Sequence, residues 1–512
     1  MPGPTDALPL DGRSLALDDV AAVVRGHRPV ALAPDAREAV AAGRGAVERA
    51  VAANRPVYGV TTGFGAFSDR TIPADRAREL QASLVRSHAA GTGPPLPPDV
   101  VRGMMLLRLN SLARGLSGVR VEVLERLVAL LNRGLVPWIP EQGSVGASGD
   151  LAPLAHLAHA MTGEGSFVDP RTGARAPARE VLARAGIAPL VPAEKEGVAL
   201  LNGTALMASY LALSVLDGRR LLDAALAASA LSFDALKGDP GPLDDRLGEV
   251  RNSDDQRAIA AALRALLAGS ALAGGRRGWS GQDPYTLRCL PQVLGAVRLG
   301  LGFAERVVVA ELNAVTDNPL VLGADEFVNG GNFHGQPLAF ALDALAIAVG
   351  YVAAFAERRI ARLVDPALNR GLPAFLAPEP GVSSGFMIPQ YVAAALVNEN
   401  STLAHPASAL SLPTSAGQED FVSMGAWAGA KLRRALSNAR RVVAIEWIVA
   451  GQALELRRPQ LGGAGSEAAL GGLRARVPTW THDRSPAADI ESVAAAIEDG
   501  SLVGELRAAV PY

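Results

Sequence analysis

Cysteine is almost absent from this 512-residue chain, in which Cys289 is the only one. A single cysteine cannot form a disulfide within the chain, and by itself it cannot make a thiolate metal site. The sequence therefore excludes a scaffold that depends on internal disulfides. It permits a reducing compartment.

An excess of charge of either sign is also missing. The chain contains 49 lysines and arginines and 51 aspartates and glutamates, so the sequence predicts no strongly basic or acidic surface. This balance disfavours nucleic acid as a partner. A small or neutral molecule fits better.

Signals for membrane targeting are lacking as well. The first residues, MPGPTDALPLDGRS, have no basic start followed by an apolar run, which a secretory signal needs. The most apolar stretch, at 338–359, is interrupted by Asp343 and leaves fewer than the ~20 uninterrupted apolar residues of a membrane span. We therefore expect a buried core helix at this position and a cytoplasmic protein with no membrane partner.

Aromatic residues make up only 4% of the chain, and convincing strand patterns are few. Helical patterns, in contrast, occur nearly everywhere. In VEVLERLVALLNRG, the apolar residues Leu124, Leu127, Val128 and Leu131 recur at helical spacing, and Gly134 follows as a stop signal. This segment is predicted to be an amphipathic helix.

Helix signals continue into the second half of the chain. In SDDQRAIAAALRALLAG, Ser253 and Gln256 match a capping box that would begin a helix. Alanine-rich segments at 338–366 and 427–457 are long enough for extended helices. Alanine has the highest helix propensity, and its small side chain lets helices approach closely, so few aromatic residues are compatible with a well-packed core.

These patterns predict a mainly α protein built as a long-helix bundle, with a smaller mixed region at the N-terminus. We place a boundary near residue 112. Residues 1–112 would form the N-terminal region, and residues 113–512 an elongated helical domain.

The stretch GSVGASGD, at 143–150, is the most unusual short segment of the chain. It lacks the G-x-S-x-G order of a hydrolase nucleophile, because the second glycine comes one position early. The chain also lacks the phosphate-loop pattern and the dinucleotide-binding fingerprint. By itself the octapeptide is equally compatible with a tight turn, since glycine readily adopts positive φ.

A longer stretch, GSVGASGDLAPLAH, resembles the signature of the aromatic amino acid ammonia-lyases and aminomutases. In that family the Ala-Ser-Gly tripeptide cyclises and loses two water molecules, which gives an electrophilic 4-methylidene-imidazol-5-one. The resemblance implies that Ala147, Ser148 and Gly149 form this prosthetic group autocatalytically. It also implies that no metal and no soluble cofactor is required.

The resemblance extends over roughly residues 50 to 510 through several motifs in the family's order. The motifs VYGVTTGFG, LLNGT, GQDPYTLRCLPQ and NGGNFHGQP place family site residues at Tyr58, Asn202, Gln282, Tyr285, Arg288, Asn332 and Phe333. Each motif alone is a weak signal and is better explained as a turn, a packing residue, a cap or a solvated loop. Their combination carries the resemblance.

The resemblance implies a role for each of these residues. Tyr58 would be the base that removes the Cβ proton, which requires its ordinary pKa near 10 to be lowered. Arg288 would bind the substrate carboxylate through a bidentate ion pair. Asn202 and Tyr285 would support the electrophile and the amine, and Gln282 and Phe333 would contact the substrate.

Two further motifs bear on the substrate. LVRSHAAG places Ser87 and His88 where histidine-specific family members have Ser-His, although some aminomutases share this pair. SAGQEDFVSMG places Glu419 in the Gln-Glu-Asp order of histidine-specific members. A carboxylate can accept an imidazole N–H, whereas a phenyl ring would leave its buried charge unpaired. The alternative for Glu419 is an acidic residue at the start of the next helix, favoured by the helix dipole.

We therefore expect elimination of ammonia from L-histidine to give urocanate. Phe421 departs from the histidine-specific pattern, which usually has histidine there, so a lyase or 2,3-aminomutase acting on tyrosine or phenylalanine stays the alternative. Retention of Ser148, Tyr58 and Arg288 argues against a catalytically silent helical assembly protein. The resemblance also implies a homotetramer whose active sites combine residues of several subunits.

The histidines supply no competing metal motif. His156 and His159 lie one helical turn apart in LAHLAHA, but no H-E-x-x-H motif and no third ligand accompany them. We interpret both as polar residues in helix packing.

Overall fold

The computed structural model describes residues 7–169, 171–274 and 282–512, and this part of the chain is mainly α-helical, as predicted. Its helices are α1 (Leu17–Val24), α2 (Pro34–Ala52), α3 (Ala77–His88), α4 (Pro98–Ala113), α5 (Val121–Asn132), α6 (Leu151–Met161), α7 (Ala178–Arg184), α8 (Glu196–Leu201), α9 (Ala205–Ala235), α10 (Asp245–Val250), α11 (Asp254–Leu266), α12 (Tyr285–Arg288), α13 (Leu290–Glu311), α14 (Gln336–Val364), α15 (Met387–Leu403), α16 (Gly425–Glu455), α17 (Ala464–Arg474), α18 (Ala487–Asp499) and α19 (Ser501–Ala509). Short 3-10 turns lie at Gly65–Phe67, Ala74–Arg76, Gly241–Leu243, Ala374–Leu376 and Ser415–Gly417.

The strands are short and occur in pairs. They are β1 (Leu8–Leu10), β2 (Val30–Leu32), β3 (Thr92–Pro95), β4 (Pro140–Gln142), β5 (Ser166–Val168), β6 (Arg175–Pro177), β7 (Leu320–Val321) and β8 (Phe327–Val328). β1 pairs with β2 in parallel, and the other three pairs, β3–β4, β5–β6 and β7–β8, are antiparallel.

Contacts divide the chain into two compact units. The first unit contains residues 1–213, 305–343 and 406–430, and the second contains residues 214–304, 344–405 and 431–512. A boundary near residue 112 stays a prediction.

The helices predicted from local patterns are present. α5 buries Leu124, Leu127 and Leu131, and Gly134 follows it with a φ of +64°. At the start of α11, the Ser253 hydroxyl accepts a hydrogen bond from the Gln256 N–H at 3.3 Å, as the capping pattern predicts.

The two alanine-rich segments form α14 and α16, the long helices expected there. In the described part of the chain, α14 is long and apolar enough to span a membrane by length and composition, despite Asp343. However, 61% of its most apolar window is buried inside the protein, which agrees with the predicted core helix.

In the first unit, α3, α6 and α8 all pack against one another. α3 ends at His88, α6 begins directly after the GSVGASGD stretch, and α8 ends just before Asn202. The ends of these three helices lie close together. As a result, His88, Ser148 and Asn202 line one cavity although they are far apart in the sequence.

Candidate active site

The Ala-Ser-Gly tripeptide lies in a turn with left-handed backbone. Ser148 has a φ of +51°, and Gly146 and Gly149 have φ values of +71° and +73°. A left-handed conformation is disfavoured for a residue with a side chain by roughly 1–2 kcal/mol. Ser148 is therefore held in a strained conformation between two glycines that adopt it freely.

Gly149 is pressed against the backbone of Gly203. A Cβ on Gly149 would lie 1.9 Å from the Gly203 carbonyl oxygen, and the next residue, Asp150, donates its N–H to that oxygen at 2.7 Å. Only glycine can occupy this position without displacing the Asn202–Thr204 turn.

The other side of the turn is fixed through the Gly146 carbonyl oxygen. It accepts hydrogen bonds from the Ser423 hydroxyl at 2.9 Å and from the Gly335 N–H at 3.2 Å. The Met424 N–H donates to the Val145 carbonyl at 2.8 Å. Contacts from three distant segments thus set the conformation of the tripeptide.

Asp150, which follows the tripeptide, is fully buried and joins the turn to α9. One of its carboxylate oxygens accepts from the N–H groups of Leu206 and Met207 at 2.9 and 3.1 Å, and the other accepts from the Ser144 hydroxyl at 3.1 Å. The first N–H groups of a helix have no partner within the helix, so Asp150 satisfies two of them. Burial raises the pKa of Asp150 to about 7, even though these three hydrogen bonds lower it.

The Ser148 hydroxyl donates a hydrogen bond to Oε1 of Glu419 at 2.9 Å. The second carboxylate oxygen of Glu419 accepts from the Thr414 hydroxyl at 2.8 Å. The backbones of Thr414 and Glu419 also pair in both directions, at 2.9 and 3.2 Å. Both oxygens of this carboxylate therefore have fixed partners.

A cavity of about 370 Å³ brings together five of the eleven predicted site residues. Its walls include Tyr58, His88, Ser148, Asn202 and Glu419. Apolar wall residues are Phe64, Phe67, Leu84, Leu151, Val198 and Leu201. The cavity thus combines a largely apolar surface with a few polar groups, which is typical of small-molecule sites.

Tyr58 is anchored at one side of this cavity, because its hydroxyl oxygen accepts the Gly65 N–H at 3.0 Å. His88 lies at the end of α3, where its Nδ1 is 3.0 Å from the Ser87 hydroxyl and its ring meets Phe64 edge-on at 6.0 Å. Burial lowers the pKa of His88, and the nearby charge of Glu419 offsets this only in part. The neutral imidazole is therefore favoured near neutral pH.

Asn202 presents an unused hydrogen-bond acceptor. The side chain is only 6% exposed, and its Nδ2 donates to the Asn318 carbonyl oxygen at 3.1 Å. Since a carbonyl oxygen can only accept, the amide nitrogen must face Asn318 and Oδ1 must point away from it. Among the described atoms, Oδ1 has no hydrogen-bond partner. A buried polar atom without a partner on a cavity wall indicates a place for a ligand donor.

Phe333 and Phe421 lie around an adjoining cavity of about 600 Å³, which shares Tyr58, Ser148 and Glu419 with the first. The Phe421 ring stacks on His334 with centroids 6.1 Å apart, and His334 Nε2 lies 3.0 Å from the Phe421 carbonyl oxygen. The residue that departs from the histidine-specific pattern thus contacts a histidine from another segment. Asn332 donates to the Val315 carbonyl at 3.2 Å.

Gln282, Tyr285 and Arg288 are not among the described residues that line either cavity. They belong to the second unit, where the Arg288 guanidinium lies over the Tyr285 ring at 4.7 Å from its centroid. Gln282 is exposed, and Tyr285 is 67% exposed.

His156 and His159 have partners of their own. His156 Nε2 accepts the Gly91 N–H at 3.0 Å, and His159 lies 3.7 Å from Glu164. Burial lowers the pKa of His156 to about 4. Within residues 7–169, 171–274 and 282–512, no cluster of three or more potential ligands could hold a metal ion. These contacts agree with the interpretation of both histidines as packing residues.

Thr414, Asn318 and Gly203 belong to the site but were not predicted from the sequence. Thr414 stands five residues before Glu419, so its proximity could have been suspected. Asn318 and Gly203 contribute a backbone carbonyl each, and no sequence pattern marks such a contribution.

The chain is similar to known proteins over nearly its whole length. The family model for aromatic amino acid lyases matches residues 15–475. Histidine ammonia-lyases from Anaeromyxobacter sp. (strain K) and Symbiobacterium thermophilum are 48% and 49% identical to this chain, with 97% of the chain and 99% and 98% of each relative covered.

Two solved enzyme structures have a fold similar to that of this chain. Tyrosine aminomutase from Streptomyces globisporus has a TM-score of 0.93 at 37% identity, with 99% of both chains covered. Histidine ammonia-lyase from Trypanosoma cruzi has a TM-score of 0.91 at 38% identity, with 99% of this chain and 96% of that chain covered. The family match, the full-length relatives and the fold agree, and the chain belongs to the aromatic amino acid lyase family.

Proposed function

We propose that this chain is a histidine ammonia-lyase, which eliminates ammonia from L-histidine and releases urocanate. The proposal rests chiefly on one observation: the Glu419 carboxylate lies in the same cavity as Ser148, Tyr58 and His88. The full-length relatives named histidine ammonia-lyase, at 45–49% identity, support the same substrate.

The tripeptide fits the methylidene-imidazolone that we propose for it. Ring closure joins the Gly149 nitrogen to the Ala147 carbonyl carbon, so the backbone must be bent before the bond can form. The positive φ values of Ser148 and Gly149, together with the contact of Gly149 with Gly203, hold such a bend. The mature group supplies an electrophile that makes the α-amino nitrogen a better leaving group.

The residues of the cavity carry out proton removal and substrate binding. We assign removal of the Cβ proton to Tyr58, whose hydroxyl is fixed by Gly65. Glu419 accepts the imidazole N–H of the substrate, and the neutral His88 contributes a second polar contact to the ring. The free Oδ1 of Asn202 accepts a hydrogen bond from the substrate ammonium.

Gln282, Tyr285 and Arg288 complete the site, in this proposal, from another copy of the chain. Arg288 then binds the substrate carboxylate, Gln282 contacts the substrate, and Tyr285 supports the amine. Gln282 is exposed and Tyr285 is 67% exposed, so both are accessible to a second copy of the chain.

A cytoplasmic homotetramer is the assembly that we propose. Large apolar side chains are exposed on the long helices, among them Tyr351 on α14, Tyr391 on α15 and Trp427 on α16. Exposed apolar groups of this kind favour association, and closed symmetry is the usual outcome for identical chains.

A lyase or 2,3-aminomutase acting on an aromatic substrate is the second candidate. The match to tyrosine aminomutase, with a TM-score of 0.93, supports this second candidate through similarity of fold. Phe421, an apolar residue that lines the adjoining cavity, is compatible with it.

The test is incubation of the purified protein with L-histidine, followed by identification of products. Urocanate together with an equal amount of ammonia supports the proposal. A β-amino acid as the main product would support an aminomutase instead.

A further inference from the structure

The Ser148 hydroxyl has a defined partner before the prosthetic group forms. It is oriented by Oε1 of Glu419, at 2.9 Å. On maturation, this same hydroxyl must leave. The group that touches a leaving oxygen is well placed to assist its departure.

Maturation removes two water molecules with a definite origin for every atom. In the first loss, the Gly149 nitrogen bonds to the Ala147 carbonyl carbon, and the former carbonyl oxygen leaves with the protons of the Gly149 and Ser148 amides. In the second loss, the Ser148 Cα proton is released, its electron pair forms the Cα=Cβ bond, and the Cβ–Oγ bond breaks. Hydroxide is a poor leaving group, so Oγ needs a proton to depart as water.

We propose that Glu419 is the general acid for this second loss. In its protonated form, and with the Ser148 hydroxyl turned so that Oγ accepts rather than donates, it delivers the Oε1 proton to Ser148 Oγ as the Cβ–Oγ bond breaks. The proton released from Cα passes to solvent, which leaves Glu419 as a carboxylate. No oxidant and no further reactant is needed. This inference rests on the proposed function, because it presumes that the tripeptide matures.

The loop before Glu419 fixes the orientation of the Glu419 carboxyl group. Ser415, Ala416 and Gly417 have successive φ values of +53°, +55° and +86°, so the loop turns tightly between Thr414 and Glu419. The Thr414 hydroxyl donates to Oε2, which leaves Oε1 as the oxygen that can carry a proton toward Ser148. Two left-handed residues with side chains are costly, and such strain is typical of functional loops.

Asp150 is the other acid beside the tripeptide, but its oxygens are already engaged. They accept hydrogen bonds from Leu206, Met207 and Ser144. Glu419, in contrast, directly contacts the oxygen that departs. The geometry therefore separates Asp150, whose oxygens hold the N–H groups of α9, from Glu419, which contacts the departing oxygen.

The assignment gives Glu419 two successive roles. Before maturation, its Oε1 is occupied by the Ser148 hydroxyl. Once that hydroxyl has left as water, Oε1 is available for the imidazole N–H of the substrate. Maturation would thus free the acceptor that the substrate needs.

The test follows the intact mass of newly made protein in a cell-free synthesis, on material that elutes with the wild-type assembly. We expect wild type to reach a deficit of two waters. We expect Glu419→Gln, which keeps the shape but cannot supply a proton, to reach it at least about tenfold more slowly and to accumulate a form that lacks one water. Glu419→Asp, which keeps an acid, should restore part of the rate. Asp420→Asn removes the same charge one residue away and should mature like wild type.

Three results would overturn the assignment: Glu419→Gln maturing at the wild-type rate, Glu419→Asp being as slow as Glu419→Gln, or Asp420→Asn being as slow as either. A wild-type protein with its full encoded mass is a different failure, because it contradicts the proposed prosthetic group itself. Mass measurement therefore distinguishes the two without any activity assay.

Discussion

The backbones of Gly149 and Gly203 lie in direct contact, so that a Cβ on Gly149 would come within 1.9 Å of the Gly203 carbonyl oxygen. Gly203 is itself confined, since a Cβ there would lie 2.5 Å from a guanidinium nitrogen of the buried Arg108. Two layers of backbone are thus packed without side chains between them. The turn that carries Ser148 therefore keeps this close contact only as long as residue 149 is glycine.

Gly149→Ala tests this relationship. The added methyl group overlaps a backbone oxygen and enforces a disfavoured φ, so we expect a loss of stability of about 2–5 kcal/mol and a protein that keeps its full encoded mass. Gly173→Ala is the matched control, because Gly173 has a similar φ of +68° but no atom within 4 Å of the added Cβ. Denaturant unfolding and intact mass are the measurements. A Gly149→Ala protein with a deficit of two waters would contradict the argument.

Asn202→Ala tests the unpartnered Oδ1. If this atom accepts the substrate ammonium, its removal costs a charge-assisted hydrogen bond of roughly 1.5–3 kcal/mol, or about ten- to a hundredfold in kcat/KM for L-histidine. Asn132→Ala is a suitable control, since the Asn132 amide pairs with both backbone groups of Val30. We expect Asn132→Ala to lower stability and leave kcat/KM unchanged. Equal effects of both substitutions on kcat/KM would refute the role of Asn202.

Glu419→Gln tests recognition of the imidazole once maturation has been accounted for. Measured per matured site, kcat/KM for L-histidine should fall about ten- to a hundredfold, because the neutral amide loses the charge-assisted part of the bond. Any turnover of L-tyrosine or L-phenylalanine should not fall in parallel, since neither ring requires the carboxylate. His88→Leu should shift selectivity in the same direction. Unchanged histidine turnover in matured Glu419→Gln would argue for a different substrate.

Asp150 predicts a specific dependence of stability on pH. Its pKa is about 7 in the folded protein, whereas the ordinary value is 3.8, so between these pH values the folded protein retains a proton that the unfolded chain has released. This contribution to stability is complete below pH 3.8 and is lost as the pH rises through 7, at about 1.4 kcal/mol per unit of pKa difference. Relative to Asp150→Asn, wild type should therefore lose thermal stability between pH 5 and pH 8. Parallel Tm curves for the two proteins would contradict the raised pKa.

Local features of the fold follow well from the sequence. The α11 cap at Ser253 and the buried stripe of α5 depend on residues a few positions apart, which a periodic pattern records directly. The glycines of GSVGASGD indicate positive φ for the same local reason. The short paired strands were not predicted individually, because each has only two to four residues and no alternating pattern.

Contacts between residues that are far apart in the sequence could not be predicted in this way. The motifs identified Ser148 and Glu419 separately, but a hydrogen bond between residues 271 positions apart depends on how the whole first unit folds. The same holds for Asp150, whose partners are the free N–H groups of α9, and for Asn202, whose Oδ1 is left without a partner. The sequence marked Phe421 as a departure from the family pattern, and its stacking on His334 became visible only in three dimensions.

The most direct test of the account is a competition assay in which the wild-type protein receives equal concentrations of L-histidine, L-tyrosine and L-phenylalanine, with every product identified. We expect urocanate as the dominant product, with ammonia released in equal amount and little coumarate, cinnamate or β-amino acid. Coumarate, cinnamate or a β-amino acid as the dominant product would contradict it, and would assign the chain to the aromatic lyases or aminomutases of its family.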